Sequence, residues 1–256
     1  MNAKLALYRT EALIIRSKKY MEANSILTIL SKERGKIIAI AKGSRKTGSK
    51  LRGGVQPFTV NEMLLAEGRN WDVVSQSHCV EAFAPMHEDI WAITAAAYWG
   101  ELLDVFTVPG ETDEEIYNIA LAGFHVLNLS TSESTVRAME IKLLDVLGFA
   151  PCLDKCVICG REITGADKVY FSAPSGGSVC QNCTSSDRTL RVVEFSHEAL
   201  NVWQQMMKME LGKSGRVKMT FRGSAILGNV LALFLLEQTE YPTKSREIML
   251  KMLRDQ

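Results

Sequence analysis

Residues 11–41 read EALIIRSKKYMEANSILTILSKERGKIIAIA. This stretch contains three short runs rich in β-branched residues, at 11–16, 25–30 and 36–41. Arg34-Gly35 separates the second run from the third, as expected of a tight turn between strands. The pattern predicts three consecutive β-strands joined by short connections.

Two further strand candidates follow, at residues 58–66 and 71–80, with a polar turn between them. Five short strands within the first 80 or so residues predict a small closed barrel of the oligonucleotide-binding (OB) type. An SH3-like barrel is the alternative.

The charge of the chain is unevenly distributed. The first 60 residues carry 13 Lys or Arg and 3 Asp or Glu, a net charge of +10, whereas the whole chain has a net charge of +1. Residues 70–136 contain 11 Asp or Glu and no Lys or Arg. A dense cationic field attracts phosphate polyanions and releases their counterions on binding. We therefore expect a nucleic-acid partner; an ordinary solvated surface is the alternative.

The basic block contains a loop at residues 43–54, where Arg45, Lys46, Lys50 and Arg52 lie among glycines and serines. We predict a mobile loop that buries almost nothing and contacts nucleic-acid backbone, because such contacts need charge and reach rather than a fixed register. A phosphate-binding nucleotide loop is disfavoured, since Lys50 comes one position late and no hydroxyl follows it.

Cys156 and Cys159 form one CxxC motif, and Cys180 and Cys183 form a second after 20 intervening residues. Two such turns can present four thiolates to one ion, which predicts a tetrahedral zinc site with one Zn²⁺ per chain. Sulfur fills all four positions, so the predicted metal is structural. Redox-active or unbridged thiols are the alternative, and Cys152 could compete as a ligand.

The remainder of the chain is predicted to be helical, which makes the fold class α+β. The predicted helices span residues 88–106, 113–129, 134–147, 196–209, 224–237 and 244–253. The predicted domains are an OB-fold nucleic-acid-binding domain (1–82), a first helical part (83–150), a zinc-binding insert (151–190) and a second helical part (191–256).

No catalytic constellation is recognisable, so an enzyme is not expected. His78 and His125 lie in apolar segments and are predicted to be core residues. Six cysteines without an export signal favour a reducing, cytoplasmic compartment, and the chain has no run of 18 apolar residues.

The order of these features resembles the RecO family of bacterial recombination mediators. Residues 10–16, 19–20 and 22–28 are similar to the opening of that family. So are Arg34-Gly35-Lys36, Ala41-Lys42-Gly43, Arg45-Lys46, Leu51 and Gln56-Pro57-Phe58, followed by Leu147-Gly148-Phe149-Ala150-Pro151 and the four CxxC cysteines. The resemblance covers essentially the whole chain.

The resemblance implies a non-enzymatic, nucleoid-associated role in DNA repair. Members of the family bind single- and double-stranded DNA and anneal complementary strands. With RecR they load the recombinase RecA onto DNA coated with single-strand-binding protein (SSB). The zinc ligands implied here are the four CxxC cysteines.

The basic block suggests which side chains contact DNA. The predicted contacts are Arg16, Lys18, Lys19, Lys36, Lys42, Arg45, Lys46, Lys50 and Arg52. Arg16 could instead be a structural ion-pair partner. Tyr20, beside two of these lysines, is the candidate for stacking on bases, with simple packing as the alternative; Phe58 is predicted to be core.

The SSB C-terminal tail is acidic and ends in an aromatic residue, so it requires an apolar groove with a basic rim. The C-terminal block can supply that rim: Lys208, Lys213, Arg216, Lys218, Arg222, Lys244, Arg246, Lys251 and Arg254. The alternative function is a zinc-ribbon regulator that binds one duplex sequence, and a zinc-stabilised nuclease ranks third.

Overall fold

The computed structural model describes residues 6–165, 168–239 and 243–254. The chain divides into two compact units, the first comprising Met1–Leu129 with Thr243–Gln256 and the second Ser130–Pro242. The four-part division predicted from sequence has boundaries at residues 82, 150 and 190, and it stays a prediction.

The first unit contains a closed five-stranded barrel. Its strands are β1 Leu7–Tyr20, β2 Asn24–Ser31, β3 Gly35–Ala41, β4 Val60–Ala66 and β5 Asp72–Glu81. The order around the barrel is β1-β2-β3-β5-β4, and β4 pairs with β1 to close it. All pairs are antiparallel except β3 and β5, which run parallel. The prediction of an α+β chain with an N-terminal OB-type barrel is confirmed.

Aliphatic side chains fill the barrel because alternate residues of each strand point inward. The interior consists of Ala12, Ile14, Leu27, Ile29, Ile37, Ala39, Ala41, Val55, Met63, Leu65 and Val74. Strand β1 is 14 residues long, and its register with β2 shifts between Ile14 and Arg16. This irregularity bends β1, so its first half pairs with β4 and its second half with β2. The sequence predicted only its apolar centre.

Helices account for most of the remaining described residues. They are α1 Ala84–Glu88, α2 Ile90–Phe106, α3 Glu114–Leu129, α4 Glu133–Val146, α5 Gln181–Ser186, α6 His197–Lys208, α7 Phe221–Thr239 and α8 Lys244–Arg254. The carboxylate of Asp89 caps α2 by accepting hydrogen bonds from the backbone of Trp91 (2.7 Å) and Ala92 (3.2 Å). At Gly100, a Cβ would lie 2.4 Å from the carbonyl oxygen of Ile15, so glycine lets α2 approach β1 closely.

The second unit contains a three-stranded sheet in the order β7-β6-β8, with β6 Val169–Ser172, β7 Gly177–Cys180 and β8 Val193–Glu194. An aromatic cluster packs beside it. The ring of Phe171 lies 5.5 Å from that of Phe195 and 5.7 Å from that of Trp203, between centroids. Because each aromatic ring buries a large area, these ring contacts contribute much of the packing beside the three-stranded sheet.

The prediction that His78 and His125 are core residues is wrong. His78 is exposed, because it points outward from β5 at the position opposite Glu62. His125 is also exposed, and its Nδ1 lies 3.4 Å from a carboxylate oxygen of Glu81. Phe58 is buried, as predicted.

Candidate nucleic-acid interface and metal centre

The basic loop at residues 43–54 is a chain of tight turns. Backbone hydrogen bonds of 3.1 to 3.2 Å link Lys46 to Gly43, Ser49 to Lys46, Arg52 to Ser49 and Gly54 to Leu51. The side chain of Leu51 packs against the barrel interior, and Val55 belongs to it. The prediction that the loop buries almost nothing is wrong at its two ends, where Ser44 and Gly54 are buried. That the loop is mobile stays a prediction.

The start of this loop is fastened to the turn between β1 and β2. The backbone amide of Arg45 donates to the carbonyl of Ala23 (2.9 Å), and its guanidinium donates to the carbonyl of Glu22 (3.1 Å). The amide of Gly43 donates to the side-chain oxygen of Asn24 (2.9 Å). These contacts hold the loop beside the end of β1 that carries Lys18 and Lys19.

Seven of the nine predicted DNA contacts are exposed and make no ion pair with a carboxylate anywhere in the described residues. We call these seven the cationic surface. Its members are Lys18, Lys19, Lys42, Arg45, Lys46, Lys50 and Arg52. Their charges are not neutralised by the protein, so they can attract an external polyanion.

The other two predicted contacts, Arg16 and Lys36, are engaged with Asp104 of α2. The Nζ of Lys36 lies 2.7 Å from one carboxylate oxygen, and Nη1 of Arg16 lies 2.8 Å from the other. Lys36 also donates to the carbonyls of Asp104 and Thr107, at 2.5 and 3.1 Å. Its side chain is only 9 % exposed. The structure thus gives no support to a DNA contact at Lys36, and it shows the ion pair that was the alternative for Arg16.

The two cations lower the pKa of the Asp104 carboxyl group. Burial by itself would raise the pKa of its carboxyl, but the hydrogen bond and charge of Lys36, followed by those of Arg16, outweigh burial and lower the pKa. The three side chains therefore form a charged cluster that ties the barrel to α2.

Tyr20 ends β1, and its ring meets that of Trp71 edge to face, with centroids 5.3 Å apart. Trp71 precedes β5 and is 36 % exposed. The sequence reasoning missed Trp71, which it placed at the start of the strand candidate 71–80. The signal was its position immediately after the polar turn that contains Arg69 and Asn70.

Four cysteines of the second unit converge. The sulfur atoms of Cys156, Cys159, Cys180 and Cys183 all lie within 4.8 Å of one another, so they could hold one metal ion. The sulfurs of Cys159 and Cys180 are 3.9 Å apart. Ligands at Zn–S distances of 2.3 Å in a tetrahedron are separated by about 3.8 Å, so the donor set fits that metal.

Local structure explains this convergence. The chain reverses just after Cys159, where Gly160 has φ +73° and donates its amide to the carbonyl of Cys156 (2.8 Å). Cys180 ends β7 and Cys183 lies in α5. The first and second CxxC motifs are thus presented by a turn and by a strand-to-helix junction.

Cys152 lies outside this group of four. Its backbone pairs with β7, donating to the carbonyl of Gly176 and accepting from Ser178. Its sulfur is 3.6 Å from a carboxylate oxygen of Asp154.

Comparison with known proteins identifies the family. Residues 4–83 match the model described as "Recombination protein O N terminal", and residues 87–247 match "Recombination protein O C terminal". The chain belongs to the RecO family. DNA repair protein RecO of Desulforamulus reducens is 34 % identical over 245 residues, covering 96 % of this chain and 94 % of the relative. RecO of Pelotomaculum thermopropionicum is 32 % identical over 94 % of this chain and 93 % of its own.

The RecO match agrees with the resemblance seen in the sequence. It shows a DNA repair protein whose family acts in recombination. In the described part of the chain, no helix is both long and apolar enough to cross a membrane.

The basic residues predicted to form a rim for the SSB tail fall in both units. In the second unit Arg222 pairs with Glu194 at 2.8 Å and Lys213 with Glu210 at 2.9 Å. A recess of about 630 Å³ in that unit is lined by Lys168, Tyr170, Glu194, His197 and Arg222, among others. The side chains of Lys251 and Arg254 lie outside the described residues.

Proposed function

We propose that this RecO-family protein is a non-enzymatic recombination mediator that binds single-stranded and double-stranded DNA and anneals complementary strands. The cationic surface carries the proposal, because its seven charges are exposed and have no carboxylate partner among the described residues. Neutralising phosphates releases counterions and does not depend on sequence. It also lowers the repulsion between two strands, so annealing needs no bond to be made or broken.

Loading of RecA with the help of RecR, onto DNA coated with SSB, completes the proposed role. Family membership supports these partners. The mediator must displace or remodel a bound protein, and this requires a contact to SSB as well as to DNA.

We propose the recess beside Arg222 as the receptor for the acidic SSB tail. Lys168 and Arg222 supply positive charge, and Tyr170 with Phe195 supplies an apolar wall for an aromatic terminus. The tail carboxylates would replace Glu194 as the partner of Arg222. Reversing Lys168 and Arg222 to Glu should abolish binding of a tail peptide, whereas reversing Lys208 should not. Retained binding in the double variant would end this assignment.

The proposed metal is one structural Zn²⁺ per chain, held by the four convergent cysteines. The apolar cluster around them is small, with Val179 as its fully buried aliphatic member. A unit of this size gains little stability from burial, so metal binding is expected to supply it. The unit offers too sparse a polar set for base readout: Lys155, Arg161, Lys168, Gln181 and Asn182.

Measuring the zinc content of purified protein tests the proposed metal site. The wild-type chain should contain one zinc, the Cys159→Ser variant should lose it, and the Cys152→Ser variant should keep it. Chelation should accelerate hydrogen exchange in residues 152–190 while the barrel strands stay protected. Concerted loss of protection in the barrel would contradict a role limited to this unit.

Annealing of complementary oligonucleotides tests the mediator role. The assay uses bare and SSB-coated strands across a salt series, without nucleotide or added divalent metal. Annealing of both substrates, declining as salt rises, is the expected result. Tight binding without annealing, together with preference for one duplex sequence, would instead favour the zinc-ribbon regulator.

A further inference from the structure

The outer face of the barrel carries an apolar row that crosses three strands and ends at a lysine on a fourth. Lys18 of β1 lies opposite Ile26 of β2, Ile26 opposite Ile40 of β3, and Ile40 opposite Val73 of β5. Residues directly opposite one another share a face of the sheet. Leu27, Ala39 and Val74, which adjoin Ile26, Ile40 and Val73, point into the barrel core, so these three point outward, and Lys18 shares their face as the partner of Ile26. Ile26, Ile40 and Val73 are half-buried there. They do not belong to the group of side chains that fills the barrel interior.

The aromatic pair stands at the edge of this row. Tyr20 is two residues beyond Lys18 on β1, so it belongs to the outer face. Trp71 immediately precedes β5, and its contact with the ring of Tyr20 places it beside that face. Their edge-to-face contact joins the β1–β2 turn to the β4–β5 connection. Beside Trp71 the surface sinks into a recess of about 540 Å³, which Arg34, Ile38 and Asn70 also line.

Positive charge borders this apolar face on the side of the basic loop. Lys42 follows β3 two residues after Ile40, and the loop is fastened to Asn24, the first residue of β2 after the β1–β2 turn. An apolar and aromatic surface bordered by unpaired cations is complementary to a strand whose backbone is anionic and whose bases present flat apolar faces.

We propose that Tyr20 and Trp71 form a stacking platform for unpaired bases, and that this platform makes the barrel select single-stranded over double-stranded DNA. The inference rests on the proposed DNA-binding function and adds its strand specificity. The recess beside Trp71 accommodates the base next to the stacked one.

DNA offers the barrel two kinds of contact, through its phosphates and through its base faces. Phosphates are accessible in single strands and duplexes alike, so the cationic surface serves both. Base faces are accessible only when unpaired and unstacked, so an aromatic platform adds affinity for single strands alone. Stacking uses the face of each base and leaves its pairing edge free, which is compatible with annealing.

Equilibrium binding to a fluorescent oligo(dT) and to a duplex of equal length tests the proposal. Trp71→Ala should weaken binding of the single strand by about 5- to 100-fold and change duplex binding by less than about twofold. Tyr20→Ala should act in the same direction. Phe221→Ala, which removes an exposed aromatic from the second unit, should change neither affinity.

Tryptophan fluorescence provides a second readout that does not depend on the alanine variant being folded. Trp71 is the exposed one of the four tryptophans, since Trp91, Trp99 and Trp203 are buried. Oligo(dT) should quench the wild-type emission, and Trp71→Phe should keep most of the affinity but lose that quenching.

The outcomes separate this inference from the proposed function. Wild-type protein that binds neither DNA would overturn the proposed function itself. Wild-type protein that binds both, with equal losses for both in Trp71→Ala or with no loss in either, would overturn the platform alone. Quenching that persists in Trp71→Phe would also overturn it.

Discussion

Two groups of cations in the same barrel have opposite surroundings. Lys36 and Arg16 are held by Asp104, and Lys36 is nearly buried. The seven members of the cationic surface are exposed and unpaired with any carboxylate among the described residues. In the sequence the two groups look alike, since Lys36 and Lys42 stand six residues apart in one basic block.

The difference shows that a local excess of charge does not by itself locate a binding surface. The acidic segment that follows the barrel returns over part of it and neutralises the cations it reaches. Lys32 likewise pairs with Glu114 of α3 at 2.8 Å. What remains for a polyanion is the part of the basic block that the acidic helices do not cover.

The largest expected effect comes from reversing Arg45, Lys46, Lys50 and Arg52 to Glu. Loss of four phosphate contacts should make the slope of log Kobs against log salt shallower by about 3 units. If the two proteins bind equally at 1 M salt, the variant should therefore bind about a thousand-fold more weakly than wild type at 0.1 M salt. Fluorescence anisotropy with labelled DNA over a salt series measures both quantities.

A matched variant keeps the same total charge change. Reversing Lys208, Lys213, Arg216 and Lys218 of the second unit to Glu should leave the slope near its wild-type value. Equal losses in the two variants would mean that only the net charge of the chain matters.

The Lys36→Ala variant tests the group of cations that is held by Asp104. It removes one partner of a largely buried pair, so the free energy of unfolding should fall by about 2 to 4 kcal/mol. Lys42→Ala, six residues later and exposed, should change it by less than about 0.5 kcal/mol. Denaturant unfolding measures both. If folded Lys36→Ala lost DNA affinity as the loop variant does, the separation of the two groups would fail.

Arg16→Ala should have a smaller effect on stability. Its side chain is 44 % exposed, and the Lys36 partner of Asp104 remains in place. A loss of about 0.5 to 1 kcal/mol in the free energy of unfolding is expected, as for exposed pairs. A loss as large as that of Lys36→Ala would show that the two cations act as one unit.

The smallest effect is a dependence on pH. The folded-state pKa of Asp104 is lowered, so its contribution to stability is present above the ordinary pKa of Asp and is lost as pH falls through the folded value. The stability difference between wild type and Lys36→Ala should therefore shrink below about pH 4. A difference that stays constant from pH 7 into that range would exclude the carboxylate as its source.

The sequence by itself determined the strands of the barrel and the four cysteines that converge. Short runs rich in β-branched residues, separated by turn residues, favour strands, and this pattern predicted all five strands of the barrel. The two CxxC motifs predicted the four sulfurs that converge, because two turns suffice to present them. A terminal cap such as Ser196, whose side chain accepts from Ala199 at 3.2 Å, is equally local.

Only the tertiary structure decided which cations are free and which aromatics meet. Asp104 is 68 residues from Lys36, and Trp71 is 51 residues from Tyr20. No local pattern encodes such pairings, because they depend on which helix packs on which strand and on how the barrel closes. Burial then decides the role of each side chain: a lysine beneath α2 stabilises the fold, whereas a lysine on the loop keeps its charge available for a partner.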